Sequence, residues 1–235
     1  MTVKPQQELH LDVFSLKDVI AVCRIFPRRK LLLKATFVTF FRVLLVFITV
    51  ALFDRGVTFN AIATCLIACI IAMDGLDGYI ARKYGETSRQ GAVFDILGDR
   101  IVENVLWIYF ACIGEFPFWI PVTVITRDVV VDNIRSLALS HGKTAFGETT
   151  MQRGMWAKFL VSSNWSRGLY AAAKGVCFTY IGLLITLESA NASGPWSDYL
   201  VPIKCILVYT TVVFCILRGL PVVWEGREYL FSNVK

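Results

Sequence analysis

Apolar runs of nearly membrane-spanning length recur along this chain, and they constrain its fold more than any other feature. A bilayer core calls for about 20 predominantly apolar residues per helix. Thr36 to Phe53, Thr58 to Met73, Gly91 to Gly114, Pro117 to Ser140, Tyr170 to Leu187 and Tyr199 to Leu217 all approach that length. The expectation is an all-α polytopic membrane protein with six transmembrane helices. A mean hydropathy of +0.59 and a charged fraction of only 18% argue against a soluble globular domain.

Against that background, acids inside or beside the runs carry information. Intramembrane carboxylates are expensive next to lipid, so they face cavities, pair with cations or bind ions. Met73 to Arg100, MDGLDGYIARKYGETSRQGAVFDILGDR, places Asp74, Asp77, Asp95 and Asp99 at the ends of two runs. Helix positions three or four apart share a face, so Asp74 with Asp77 and Asp95 with Asp99 form two carboxylate pairs. Opposed helices bring both pairs to one membrane depth. Such an oxygen-rich cluster suits a hard cation, Mg²⁺ or Mn²⁺. The plain alternative is a solvated loop between spans, and Gly78 and Gly91 count against it. Glycine in a helix costs roughly 1 kcal/mol relative to alanine, which close approach of a ligand to the backbone offsets.

The pattern D-x2-D-G-x2-A-R-x8-G-x3-D-x3-D is filled at every specified position. With it the chain closely resembles the CDP-alcohol phosphatidyltransferases, membrane enzymes that move a phosphatidyl or similar phospho-alcohol group from a CDP-linked donor to an alcohol. The resemblance implies that Asp74, Asp77, Asp95 and Asp99 hold two divalent ions, with Asp99 also serving as base toward the acceptor hydroxyl. It implies that Asp74, Asp77, Gly78, Ala81, Arg82 and Gly91 receive the CDP portion of CDP-diacylglycerol. Thr39 and Arg42 fit the family's T-x-x-R element on the first helix, although Thr36 stands where asparagine is usual. Snorkelling of Arg42 to the interface is an equal alternative.

The acceptor is less constrained. Arg127, Arg135 and Lys174 are candidates for gripping an acceptor phosphate, and Arg127-Asp128 to Arg135 looks like the pattern of phosphatidylglycerophosphate synthases. Asp99-Arg100 looks more like inositol-lipid synthases. Glycerol 3-phosphate is the favoured acceptor, with inositol phosphate as the alternative and pairing of these cations with Asp128, Asp132 or Glu103 as the ordinary reading. From another class, a divalent-cation transporter would want a polar path to the far side, and the last two runs have almost none. His10 and His141 lie far from the motif in sequence, so direct attack by the alcohol is preferred over a covalent nucleophile.

The net charge of +6 suits an anionic leaflet rather than nucleic acid, for no nucleic-acid motif accompanies it. Lys and Arg concentrate at the N-terminus, in the motif turn, in the polar reach from 133 to 169 and in the tail. Only Arg55 lies in the alternate loops. By the positive-inside rule both termini and the motif are cytoplasmic, in a bacterial inner membrane. The sequon Asn191-Ala192-Ser193 then reports a loop.

Residues 1–35 form a cytoplasmic segment whose Leu9 to Phe26 stretch reads as an amphipathic interfacial helix, 36–217 the catalytic domain and 218–235 a cytoplasmic tail. Acids at Glu8, Asp12 and Asp18 argue against a removable signal peptide. Cys65, Cys69, Cys112, Cys177, Cys205 and Cys215 read as small buried apolar residues. Membrane lipid is an expected partner, and a homodimer is left open.

Overall fold

The computed structural model describes residues 29–84, 89–140, 154, 158–191 and 197–231, with the side chains of 38–74, 94–139 and most of 159–227. The expected interfacial helix at Leu9 to Phe26 lies outside the described residues. Regular structure among the described residues is entirely helical: α1 (Arg29–Leu52), α2 (Val57–Tyr84), α3 (Arg89–Cys112), α4 (Trp119–Ser140), a π-helical turn (Lys158–Ser162), α5 (Asn164–Ser189) and α6 (Ser197–Phe231).

Short connections make sequential helices run up and down. Between α1 and α2, Asp54 and Gly56 take the left-handed backbone region (φ 66° and 114°). Glycine tolerates this readily and aspartate better than most residues. The amide of Asp54 donates to Asn60 Oδ1 at 2.9 Å, and Asn60 Nδ2 donates to Ser189 Oγ at 2.6 Å. That ties the α1/α2 turn to the end of α5. Gly114, at φ 86°, closes α3 at the same end of the bundle.

The six expected spans coincide with six helices, but the helices differ in hydropathy. Val57–Asp74, Trp165–Ser189 and Tyr199–Arg227 are long and apolar enough to cross a membrane, while the apolar stretch Val38–Leu52 is shorter. The apolar windows of α3 and α4 are interrupted by Asp95, Asp99, Arg100 and Glu103 and by Arg127, Asp128, Asp132 and Arg135. Hydropathy of the described residues therefore does not carry the count of six.

Three features differ from the sequence expectation. The polar reach from 133 to 169 is narrower, because α5 begins at Asn164 rather than Tyr170, while α4 ends at Ser140 as expected. Helix α6 runs without a break across the 217/218 division to Phe231, past Pro221. There Val222 is fully buried, and Arg218, expected in a tail, is only 7% exposed and donates to the carbonyl of Leu160 at 3.3 Å. Lastly, among the described cysteines Cys177 and Cys215 are buried, and Cys65, Cys69, Cys112 and Cys205 are exposed. An apolar run places cysteine on either face of a membrane helix, since the outer face meets lipid rather than water.

The core lies along α3. Trp107, Phe110, Leu106 and Phe178 are essentially inaccessible, with Trp107 edge-on to Phe178 at 4.8 Å and to Phe116 at 5.4 Å between ring centroids. These edge-to-face contacts fix α3 against α5. They form the floor above which the acids sit.

Candidate active site

Helix α3 meets α1 unusually closely one turn from the acids. A Cβ placed on Gly98 would stand 2.2 Å from Thr39 Cγ2, so a larger residue there requires α1 to shift or Thr39 to rotate. Thr39 precedes Arg42 by nearly one helical turn, and Gly98 directly precedes Asp99. The contact thereby delivers the Arg42 guanidinium to the acids of α2 and α3. Arg42 lies 2.9 Å from Asp74, 3.0 Å from Asp99 and 3.7 Å from Asp95. It is 3% exposed, which rules out snorkelling and places it inside the site.

Asp74, Asp95 and Asp99 each offer an oxygen within 4.8 Å of the others. Among the described residues three carboxylates meet one guanidinium, which leaves the cluster short of positive charge. Oxygen-only donors at this spacing suit a hard divalent cation, so the residues fit Mg²⁺ or Mn²⁺. Asp77, Gly78, Ala81 and Arg82 follow Asp74 on α2, and Gly91 lies in the first turn of α3. Their side-chain placement lies outside the described residues.

The acids open onto a cavity of about 250 Å³ between α2, α3 and α5, shared by Arg42, Asp74, Asp99, Glu103, Lys174 and Phe178. Its wall on α5 includes Gly175, where an added Cβ would come within 2.9 Å of Ile71 Cγ2. Close packing of α2 on α5 is what brings Lys174 to the cavity, where its ammonium pairs with Glu103 Oε1. Glu103 is one turn beyond Asp99 on α3.

The other two acceptor candidates are placed elsewhere. Arg127 donates to Asp128 Oδ1 at 2.7 Å and lines a separate open groove of about 410 Å³ between α4 and α6. Arg135 lies 3.7 Å from Asp132. Arg100 faces α4, donating to Asp128 Oδ2 at 2.7 Å and to both oxygens of Asp132 at 2.9 and 3.2 Å. Of the three cations singled out from sequence, the structure brings Lys174 alone into the cavity with the acids.

Sequence reasoning missed Gly98 and the cavity role of Glu103. The signal for Gly98 was present: a further glycine in the motif region, set between two acids of a helix, where glycine is intrinsically unfavourable. Nothing local marked Glu103, because its significance depends on α5 packing across from it.

Comparison with known proteins agrees with this arrangement. The family model for CDP-alcohol phosphatidyltransferase matches residues 32–225. The chain is 26% identical over 166 residues to the CDP-diacylglycerol–glycerol-3-phosphate 3-phosphatidyltransferase of Escherichia coli (strain K12), covering 66% of this chain and 88% of that protein. The same identity and coverage hold for the like-named proteins of Shigella sonnei (strain Ss046) and Shigella flexneri serotype 5b (strain 8401).

Proposed function

The chain belongs to the CDP-alcohol phosphatidyltransferase family, and from that premise we propose that it transfers a phosphatidyl group from CDP-diacylglycerol to glycerol 3-phosphate in phospholipid biosynthesis. The observation that carries the reading is the cluster of Asp74, Asp95 and Asp99 opening onto a cavity that also holds Lys174. The names of the relatives support the donor and the acceptor. Arg100, whose identity points toward an inositol-type acceptor, is engaged by Asp128 and Asp132 on α4, which supports a role in joining helices for that residue.

In the proposed reaction the acceptor hydroxyl oxygen bonds to the phosphorus bearing the diacylglycerol, the bond from that phosphorus to CMP breaks, and CMP leaves. Asp99 takes the hydroxyl proton. Asp74, Asp77, Asp95 and Asp99 would hold two divalent ions, which supply charge neutralisation for the pyrophosphate and the leaving group. Gly78, Ala81, Arg82 and Gly91 receive the CDP portion. Lys174, which shares the cavity with Asp74 and Asp99, meets the acceptor phosphate once that phosphate replaces Glu103 as its partner. Arg127 and Arg135 act from α4, by setting the charge around Asp128 and Asp132.

The same proposal places six helices across a bacterial inner membrane, with the acids toward the cytoplasm. Basic residues support it, since Arg55 is the lone Lys or Arg in the three connections at the opposite end. In a background without native cysteines, Asn191→Cys should react with an impermeant reagent from outside intact cells and Arg227→Cys only after permeabilisation. The reverse pattern would invert the topology.

Purified protein given labelled CDP-diacylglycerol and, separately, glycerol 3-phosphate, glycerol, inositol and inositol phosphate tests the reaction. CMP release should require glycerol 3-phosphate and a divalent ion. Preference for another alcohol would replace the acceptor, and undiminished turnover in chelator would remove the ions.

A further inference from the structure

Arg42 occupies the position in the aspartate cluster where positive charge is most needed. Its guanidinium takes one oxygen, Oδ1, from each of Asp74, Asp95 and Asp99. The fit is electrostatic rather than directional. Nε and Nη1 are buried without a well-formed hydrogen bond, and Nη2 alone donates in good geometry, to Asp99 at 3.0 Å. Arg100, by contrast, forks onto Asp132 through two nitrogens and reaches Asp128 with the third. A guanidinium with a purely structural task adopts the second arrangement, because planar bidentate pairing gives the stronger bonds. Arg42 instead lies among three acids drawn from two helices.

We propose that Arg42 is an internal stand-in for the divalent ion. It neutralises the three carboxylates when no metal is bound and gives up their oxygens when one is. The inference rests on the reading that these acids hold divalent ions.

Removing Arg42 takes away the guanidinium that Asp74, Asp95 and Asp99 share, and the mutual repulsion of these partly exposed carboxylates, screened in part by solvent, lowers the stability of the metal-free protein. The metal-bound protein loses much less, since the ion supplies the charge. The coupling between the two cations is reciprocal, so whatever Arg42 takes from metal binding its removal returns. The sign distinguishes this role from a clamp that holds the acids ready for metal, whose loss would weaken binding.

The test is Mn²⁺ titration of detergent-purified protein, with free Mn²⁺ read by electron paramagnetic resonance, alongside thermal unfolding with and without Mg²⁺. Wild type, Arg42→Gln and Arg42→Lys are compared. Arg42→Gln should bind Mn²⁺ more tightly, on the order of tenfold for a coupling of this kind. Without metal its unfolding midpoint should fall, and Mg²⁺ should raise that midpoint further than in wild type. Arg42→Lys, which keeps the charge and loses the reach across three acids, should fall between. Should Arg42→Gln fold only in the presence of Mg²⁺, that dependence supports the proposal, and if it fails to fold at all the Mn²⁺ affinity of Arg42→Lys decides. Equal or weaker Mn²⁺ binding in the variants, with binding intact in wild type, overturns the stand-in role and leaves the metal reading standing. No Mn²⁺ binding by wild type overturns both.

Discussion

Helix α3 separates two charge clusters of opposite design. Toward α1 and α2, one cation, Arg42, faces three carboxylates and the group opens to a cavity. Toward α4, Arg100, Arg127 and Arg135 engage the two carboxylates of Asp128 and Asp132, with Glu103 also 3.7 Å from Arg100. Asp128 is 2% exposed and bonded through both oxygens. Among the described residues the first cluster has more carboxylates than cations, whereas in the second each carboxylate is met by at least one arginine. Adjacent residues, Asp99 and Arg100, therefore face different ways: one lines the cavity and the other joins α3 to α4.

The largest expected difference lies between Asp99→Asn and Asp128→Asn. The first keeps side-chain size but cannot take the acceptor proton, and loss of a general base lowers rate by about 10² to 10⁴-fold. Its stability should hold or rise, since it relieves excess negative charge. Asp128→Asn leaves two guanidinium groups short of a buried counter-charge, which costs about 3 to 5 kcal/mol when a buried pair is broken, while turnover per folded molecule stays near that of wild type. Single-turnover rates and thermal unfolding of both variants check this. Wild-type turnover in Asp99→Asn would end its assignment as base, and lost turnover with intact stability in Asp128→Asn would erase the contrast between the clusters.

A second comparison sets Lys174 against Arg135. Only Lys174 shares the cavity with the acids, so Lys174→Ala should raise KM for glycerol 3-phosphate and leave that for CDP-diacylglycerol nearly unchanged. Loss of a hydrogen bond to a charged group, worth about 1.5 to 3 kcal/mol, corresponds to roughly 10 to 150-fold. Arg135→Ala should shift that KM several-fold less, acting through Asp132. Steady-state kinetics with each substrate varied decides, and a larger KM effect in Arg135→Ala would move the acceptor phosphate toward α4.

The two clusters were not equally legible in the sequence. Asp74, Asp95 and Asp99 stand at fixed helical spacing in apolar surroundings, and period alone puts each pair on one face. Helix placement followed from the same runs, to within a few residues for α3 and α4 and for the start of α2. The direction of Arg42 was not legible, since a lone arginine in an apolar run either snorkels to the interface or turns into the bundle, and only the α1/α3 contact selects one. Likewise Arg127, Arg135 and Lys174 looked equivalent along the chain, because which cations meet one cavity depends on the packing of α2 on α5 and of α4 on α6. The continuation of α6 beyond Leu217 escaped notice because Arg218 and Pro221 resemble a stop signal. In the fold, the guanidinium of Arg218 is taken up by the Leu160 and Val161 carbonyls of the π-helical turn.

The smallest change tests the wedge that aims the first cluster. Gly98→Ala adds one methyl group at a point where Thr39 Cγ2 would lie 2.2 Å away, so α1 must move or Thr39 must rotate. Threonine has few rotamers in a helix, and overpacking of this kind typically costs about 1 to 3 kcal/mol. The displacement acts on the Arg42 side of α3 and leaves Arg100 against α4, so the acid cluster should lose order while the α3/α4 joint persists. Thr39→Ser removes the clashing methyl but keeps the hydroxyl, and in Gly98→Ala/Thr39→Ser most of the lost stability should return. The thermal midpoints of the two single variants and the double variant form a cycle whose coupling is the wedge itself. Additive effects would mean that α1 and α3 do not meet there, and the route by which Arg42 reaches Asp99 would have to be sought elsewhere along α1.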